Sequence, residues 1–129
     1  MWDTVDGEKV KAMKRDMNLI RSLLLEVEGE EPKPDLSQYT QEQQIYHSAL
    51  LIEAGLVDGT IVENGSGYPA GTTMIRLKWA GHEFLDAARD EESWQRATNT
   101  VAKAGGAFTI SILSEILTQY IKQKLGFPS

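Results

Sequence analysis

The sequence predicts a small α+β domain in which helices pack around one β-hairpin. Three observations predict it: apolar residues recur at helical spacing near the N-terminus, two alternating runs flank a glycine-rich loop, and helical periodicity returns towards the C-terminus. The chain has 129 residues, of which 41% are hydrophobic and 25% are charged. These values are typical of one ordinary globular domain with a single core.

The first helix is predicted to begin at Met13. Its apolar residues share one side of a helix, and they are Met13, Met17, Ile20, Leu23, Leu24 and Val27. Gly29 and the prolines of the segment EGEEPKPD end it, because these residues cannot continue a helix. Residues 1–12 lack sustained periodicity, so we expect an N-terminal extension there.

The second helix is predicted to begin after Thr40. Its side chain can cap the helix while Gln43 reaches back, which forms a Thr-x-x-Gln capping box. Gly55 is placed to adopt the left-handed conformation that closes a helix. The expected buried stripe consists of Ile45, Ala49, Ile52 and Leu56.

Residues 56–63 and 72–79 are predicted to form an antiparallel β-hairpin whose tip projects Tyr68 and Pro69. The runs alternate in polarity and enclose the segment NGSGYPAG, which is rich in turn-forming residues. On the second strand, one face is expected to carry Ile75, Leu77 and Trp79, and the other Met74, Arg76 and Lys78.

Three further helices are predicted, in the segments GHEFLDAAR, EESWQRATNTVAKA and FTISILSEILTQYIKQKL. The last has an apolar arc wider than one contact requires, so it is either central to the core or part of an oligomer interface. We expect a homodimer through this helix. The arc comprises Ile112, Leu113, Ile116, Leu117, Tyr120 and Ile121.

The order helix, helix, strand, wing, strand, helix is that of a winged-helix domain. We therefore expect a winged-helix-like core over residues 13–89. Residues 90–129 are expected to form a C-terminal helical extension packed on that core within the same domain.

Four segments carry a resemblance to a known family: MKRDMNLIRSLLLEVE, YHSALLIEAGLVDG, IRLKWAGHEFLDAARDEESW and AGGAFTISILSEIL. Together they resemble the phage-associated family called domain of unknown function 2513, over nearly everything from Met13 to about Leu125. The resemblance implies a winged-helix-like fold and a place in prophages or other mobile elements, but no enzymatic activity and no ligand. Many members carry Thr where this chain has Lys78, and lysine cannot cap the helix that follows.

Composition excludes several classes of protein. The chain has no cysteine, so it holds neither a disulfide nor a thiolate metal site, and it suits a reducing bacterial cytoplasm. No apolar run approaches the roughly 18 residues that span a bilayer, so no membrane role is expected. The window from Glu26 to Glu63 contains nine acidic residues and a single base, Lys33, although the whole chain has a net charge of only −6. A polyphosphate is therefore a poor partner for this window.

No catalytic, cofactor or metal site is predicted. Residues 65–70, GSGYPA, match the dinucleotide pattern G-x-G-x-x-A, but that motif must open a helix and this one leads into a strand. His47 and His82 are the only histidines and lie on different elements without metal-ligand spacing. His47 is expected to be polar or half-buried, and we interpret the chain as a non-enzyme.

Two binding hypotheses follow, of which a protein-interaction module is the first. A protein of the host or of the phage would contact tyrosines, since tyrosine provides contact area at low entropic cost. The candidate residues are Tyr39, Tyr46, Tyr68, Ile116 and Tyr120.

The alternative is a DNA-binding regulator that places its second helix in the major groove. That helix, TQEQQIYHSALLIEA, has no lysine or arginine, so we expect only weak, non-specific affinity. The candidate DNA contacts are Lys14, Arg15, Gln41, Gln44, His47, Arg76 and Lys78.

Overall fold

The computed structural model describes residues 15–65, 69–103 and 110–126. These residues form five helices and one antiparallel two-stranded sheet, in the order α1 (Met17–Glu28), α2 (Gln41–Glu53), β1 (Val57–Glu63), β2 (Pro69–Leu77), α3 (Trp79–Ala88), α4 (Glu91–Lys103) and α5 (Ile110–Leu125). The predicted α+β class is confirmed, and the arrangement is compatible with a winged-helix-like fold with C-terminal helices. Two compact units are present, the first ending at Lys78 and the second beginning at Trp79.

Helix α1 begins at Met17 rather than at Met13, because Asp16 caps it. Asp16 has an extended backbone, and its Oδ1 accepts hydrogen bonds from the backbone N–H groups of Asn18, at 2.9 Å, and Leu19, at 3.2 Å. These bonds satisfy donors that the first turn of a helix leaves without a partner. Met13 itself lies outside the described residues. The helix ends as predicted at Gly29, which has a φ of 81°.

Helix α2 has both predicted ends. Thr40 Oγ1 accepts from the Gln43 backbone N–H at 3.0 Å, and Gln43 Oε1 accepts from the Thr40 N–H at 2.8 Å, which completes the capping box. Gly55 has a φ of 80°. The N–H groups of Gly55 and Leu56 reach back to the carbonyls of Ile52 and Leu51, as in a Schellman motif.

The buried stripe of α2 is only partly as predicted. Ala49 is buried, but Ile45 and Ile52 are half-buried. The fully buried polar member is His47. Helix α2 contacts α1 as well as both strands, so it buries a wider and differently centred face than a single apolar stripe suggests. The buried residues of α2 are His47, Ser48, Ala49 and Leu51.

The β-hairpin is confirmed, with two register shifts that the sequence did not reveal, one at Val62/Glu63 near the tip and one, a bulge, at Asp58/Gly59. The strands run antiparallel, and β2 starts at Pro69, so the tip is shorter than predicted. Asp58 pairs with Arg76, whereas Gly59 pairs with Met74, so Ile75 is an extra residue in β2. An extra residue of this kind shifts the alternation of side chains along a strand.

The bulge corrects the predicted faces of β2. Leu77 is buried, with 3% of its surface exposed, but Ile75 is 62% exposed because it shares the solvent face with Arg76. Met74, on the opposite face, is half-buried. Trp79 is not a strand residue: it begins α3 and is 78% exposed.

The core of the first unit lies between α1, α2 and the inner face of the hairpin. Leu19, Ile20 and Leu24 have no exposed surface. The remaining buried apolar residues of this unit are Met17, Leu23, Ala49, Leu51, Leu56, Val57 and Leu77.

The second unit is formed by α3, α4 and α5, which contact one another in pairs. The rings of Phe84 and Trp94 meet edge to face with their centroids 6.3 Å apart. Of the predicted apolar arc of α5, Leu113 and Leu117 lie in this core, while Ile112 is 39% exposed. The buried apolar residues of the unit are Phe84, Leu85, Ala88, Trp94, Ala97, Val101, Ile110, Leu113 and Leu117.

Candidate interaction surface

Tyr39 and Tyr46, two of the tyrosines proposed as interaction anchors, are half-buried. Tyr46 lies edge to face with His47, with ring centroids 5.1 Å apart and planes at 87°. The carbonyl of Tyr39 accepts a hydrogen bond from Gln44 Nε2 at 3.3 Å. Tyr68 lies outside the described residues. Tyr39 and Tyr46 therefore contribute to the order of this unit and present only part of their surface to a partner.

Tyr120 and Ile116, the candidates on α5, also have contacts within their own unit. The hydroxyls of Tyr120 and Thr100 lie 3.1 Å apart, and Arg96 Cζ lies 4.3 Å from the centroid of the Tyr120 ring. The cation above the ring and the hydroxyl contact hold α4 and α5 together. Ile116 is half-buried.

The DNA-contact candidates do not form a basic surface. Arg15 and Lys78 are exposed, but Arg76 Nε lies 3.4 Å from Asp58 Oδ2, which neutralises its charge locally. Gln41 is exposed on the first turn of α2. Lys14 lies outside the described residues.

Two polar residues of α2 that were candidate readers of base edges are already engaged. Gln44 Nε2 donates to the carbonyls of Leu36, at 3.4 Å, and Tyr39, at 3.3 Å. His47 has no exposed surface, so its ring presents no edge to a DNA base in this structure. Of the three DNA-contact candidates on α2, which are Gln41, Gln44 and His47, Gln41 alone is exposed.

The imidazole of His47 bridges the two helices of the first unit. Its Nε2 lies 2.8 Å from the backbone nitrogen of Asp16, and its Nδ1 lies 2.7 Å from the carbonyl oxygen of Gln43. Desolvation lowers the pKa of His47 from its ordinary value of 6.5, opposed by the Gln43 hydrogen bond and the charge of Asp16. Sequence reasoning expected a polar or half-buried residue, because nothing in the sequence indicated that a backbone N–H from α1 would meet this ring.

The clearest exposed apolar surface of the first unit is the outer face of the hairpin. Val62 is 61% exposed and Ile75 is 62% exposed. Thr60 and Thr73 are paired across the strands and exposed on the same face. We call Thr60, Val62, Thr73 and Ile75 the outer hairpin face. Val62 and Ile75 were missed because their exposure depends on register, which side-chain alternation alone does not give.

The acidic window of the first unit is largely solvent-facing. The segment that joins α1 to α2 exposes Glu31 and Asp35, and Glu26 and Glu28 are exposed on the last turn of α1. Hydrogen bonds from Ser37 lower the pKa of Asp35. This carboxylate therefore stays ionised, and the negative charge predicted from the sequence lies at the surface.

Metal-ligand spacing and the surroundings of the glycine-rich segment can be assessed over the described residues alone. Among residues 15–65, 69–103 and 110–126, no three His, Cys, Asp or Glu side chains gather in a way that could hold a metal ion. Pro69 and Ala70 belong to β2, so the GSGYPA stretch leads into a strand and does not open a helix. The helices described here are too short or too polar to cross a membrane.

Comparison with known proteins identifies relatives by sequence. A family model described as "Hypothetical protein (DUF2513)" matches residues 14–107. A protein of Haemophilus influenzae described as "Uncharacterized protein" is 29% identical over 120 residues, which cover 88% of this chain and the whole of that relative. No solved structure matches the chain.

Proposed function

Since the chain belongs to the DUF2513 family, we propose that it is a non-enzymatic accessory protein of a phage or other mobile element that works by binding another protein. The observation that carries this proposal is the outer hairpin face. There, Val62 and Ile75 remain more than half exposed although the domain has an apolar core in which to bury such residues. The two side chains lie on the same face of the hairpin, on either side of the Thr60–Thr73 pair. Exposed apolar patches of this kind mark sites of protein interaction.

The chemistry of this face fits a protein partner better than a nucleic acid. Val62 and Ile75 offer apolar area, while Thr60 and Thr73 offer hydroxyls for hydrogen bonds at the same surface. The Asp58–Arg76 pair lies at the bulge and leaves little net charge nearby. The Thr60–Thr73 pair lies between Val62 and Ile75 along the hairpin, so apolar and polar groups alternate on this face. Protein interfaces combine apolar area with hydrogen-bonding groups in this way.

DNA binding remains the second candidate because of the order of the elements. The exposed cations Arg15 and Lys78 would have to neutralise phosphates beside an acidic surface, and α2 contains no lysine or arginine. Each neutralised phosphate contributes to affinity, so few contacts give weak binding. We expect duplex DNA to bind no more tightly than the non-specific range of roughly 10⁻⁶ to 10⁻⁴ M at physiological salt.

A site-specific cross-linking experiment tests the proposal. A photo-reactive amino acid is placed at Ile75, or at the exposed Ala102 of α4 as a control, and the protein is irradiated in its native host. We expect one discrete cross-linked protein from position 75 and none of that size from position 102. The double variant V62S/I75S should lose capture of the same protein by more than about tenfold, as for interface anchors.

A matched variant separates loss of binding from loss of folding. T60S/T73S changes the same face but keeps its apolar residues, so it should retain capture. Cross-linking to a second copy of the chain would indicate self-association through this face. A sequence-specific nanomolar complex with DNA would refute the proposal in favour of the regulator.

A further inference from the structure

The junction between the start of α1 and the middle of α2 depends on the protonation state of one buried side chain. His47 has no exposed surface and forms a hydrogen bond with each helix. Its partner on α1 is the backbone N–H of Asp16, the residue that caps α1. The ring therefore holds the capping residue in place.

The geometry fixes the tautomer of His47. The Gln43 carbonyl can only accept a hydrogen bond, so Nδ1 must carry the proton, at a separation of 2.7 Å. The Asp16 backbone N–H can only donate, so Nε2 must be unprotonated at 2.8 Å. The native junction thus requires the neutral imidazole.

We propose that His47 is an acid-sensitive latch that holds the first turn of α1 against α2 while neutral and releases that turn when protonated. A proton added at Nε2 turns the acceptor into a donor aimed at the Asp16 N–H, so the bond is lost and two donors oppose each other. The imidazolium is also buried in a site that gives it no direct solvent contact. Opening the first turn relieves both costs.

The groups around the ring set the direction of this response. Asp16, which caps α1, contributes a carboxylate that favours the charged ring, and α2 contributes the Gln43 carbonyl and the edge-to-face ring of Tyr46. Burial outweighs them, so the pKa of His47 in the folded chain lies below the ordinary 6.5. The unfolded chain then binds more protons. The latch is therefore fully stabilising above about pH 6.5 and weakens as the pH falls from there towards the folded pKa.

The test measures opening at the first turn of α1 directly. The reporters are the amides of Asn18 and Leu19, whose N–H groups donate to Asp16 Oδ1. Their hydrogen exchange is measured from about pH 7.5 to about pH 5 and expressed as protection factors, which correct for intrinsic exchange. We expect protection to fall by up to about tenfold per pH unit, the limit for uptake of one proton. The Asp16 amide resonance should titrate with the same midpoint as the His47 ring.

Three variants separate the latch from other sources of pH dependence. H47Q keeps an acceptor for the Asp16 N–H but does not titrate, so its protection should be flat over this range. D16N keeps the cap and removes the carboxylate, and H82Q removes the exposed histidine, so both should retain the pH response.

Either of two results would overturn the proposal: protection in the unmodified protein that is constant over this range, or a pH response that persists in H47Q. If H47Q does not fold, the midpoints in the unmodified protein decide alone. An Asp16 amide that shifts at a different pH from the His47 ring would then reject the latch.

Discussion

Replacing Gly59 by alanine should destabilise the hairpin, because this position has no room for a side chain. A Cβ built on Gly59 would lie 2.2 Å from the carbonyl oxygen of Thr73, 3.2 Å from Met74 Cα and 3.1 Å from Ile52 Cδ1. The first two are backbone atoms of the paired strand, so they cannot move aside by a rotamer change. Gly59 stands next to the register shift at Asp58/Gly59.

The expected loss follows from two opposing effects. Forcing an extra carbon into a packed site typically costs about 1–3 kcal/mol, and more where backbone must move. Replacing glycine by alanine also reduces the conformational entropy of the unfolded chain, which stabilises the folded state by about 0.4–1 kcal/mol at a compatible site. The clash with a carbonyl oxygen places the cost towards the upper end of its range, so G59A should lower the free energy of unfolding by up to about 2.6 kcal/mol net.

A second glycine on the same hairpin provides the matched control. Gly71 pairs with Val62, and a Cβ there would meet no atom within 4 Å. G71A should therefore be neutral or stabilising by up to about 1 kcal/mol. Amide exchange rates at Thr60 and Thr73 measure the stability of the hairpin. Tryptophan fluorescence is less suitable, because Trp79 and Trp94 report on the second unit. Equal exchange rates in G59A and G71A would refute the packing argument.

Three further predictions concern helix ends and the C-terminal helix. T40A should lower the free energy of unfolding, measured by urea denaturation, by about 1 kcal/mol because it removes the α2 cap, whereas T40S should keep the cap. Equal denaturation midpoints for T40A and T40S would contradict the capping box. Hydrogen bonds from Lys124 and Ser93 lower the pKa of Asp90 from an ordinary 3.8 to about 2. The ionised Asp90 carboxylate therefore stabilises the fold above about pH 4, and this stabilisation is lost as the pH falls towards 2. A carboxyl NMR titration of K124M should show that pKa raised, with Q123M as a control, and an unchanged value would reject the Lys124 contact. If the chain forms a homodimer through α5, light scattering should show a mass that rises with protein concentration. The variant I112E should abolish this rise without unfolding the protein, because Ile112 is partly exposed. A constant monomer mass in the unmodified protein would exclude the dimer.

Local signals in the sequence predicted helix ends and the hairpin well. The Thr40–Gln43 box and the left-handed Gly55 depend on residues a few positions apart, so their chemistry is visible in the sequence. Helix α1 begins later than the apolar spacing from Met13 predicts, because Asp16 caps it.

Features that depend on contacts between distant segments could not be predicted in the same way. The bulge arises from the pairing of β1 with β2, and it moved Ile75 to the solvent face. The environment of His47 depends on Asp16, which is 31 positions away in the chain. The candidate surface changed accordingly, from tyrosines chosen by residue type to Val62 and Ile75, whose exposure is a property of strand register.

The extra residue in β2 makes chain length, rather than residue identity, the determinant of what the hairpin presents. Deleting Ile75 would leave Met74 opposite Gly59 and Arg76 opposite Asp58, with no unpaired position between them. Strand pairing would become regular there while both ends of the hairpin kept their inward residues. A single codon deletion could thus remove an exposed apolar side chain from the hairpin without altering its core. In an alignment of relatives, a gap at this position would distinguish proteins that carry this surface from proteins that lack it.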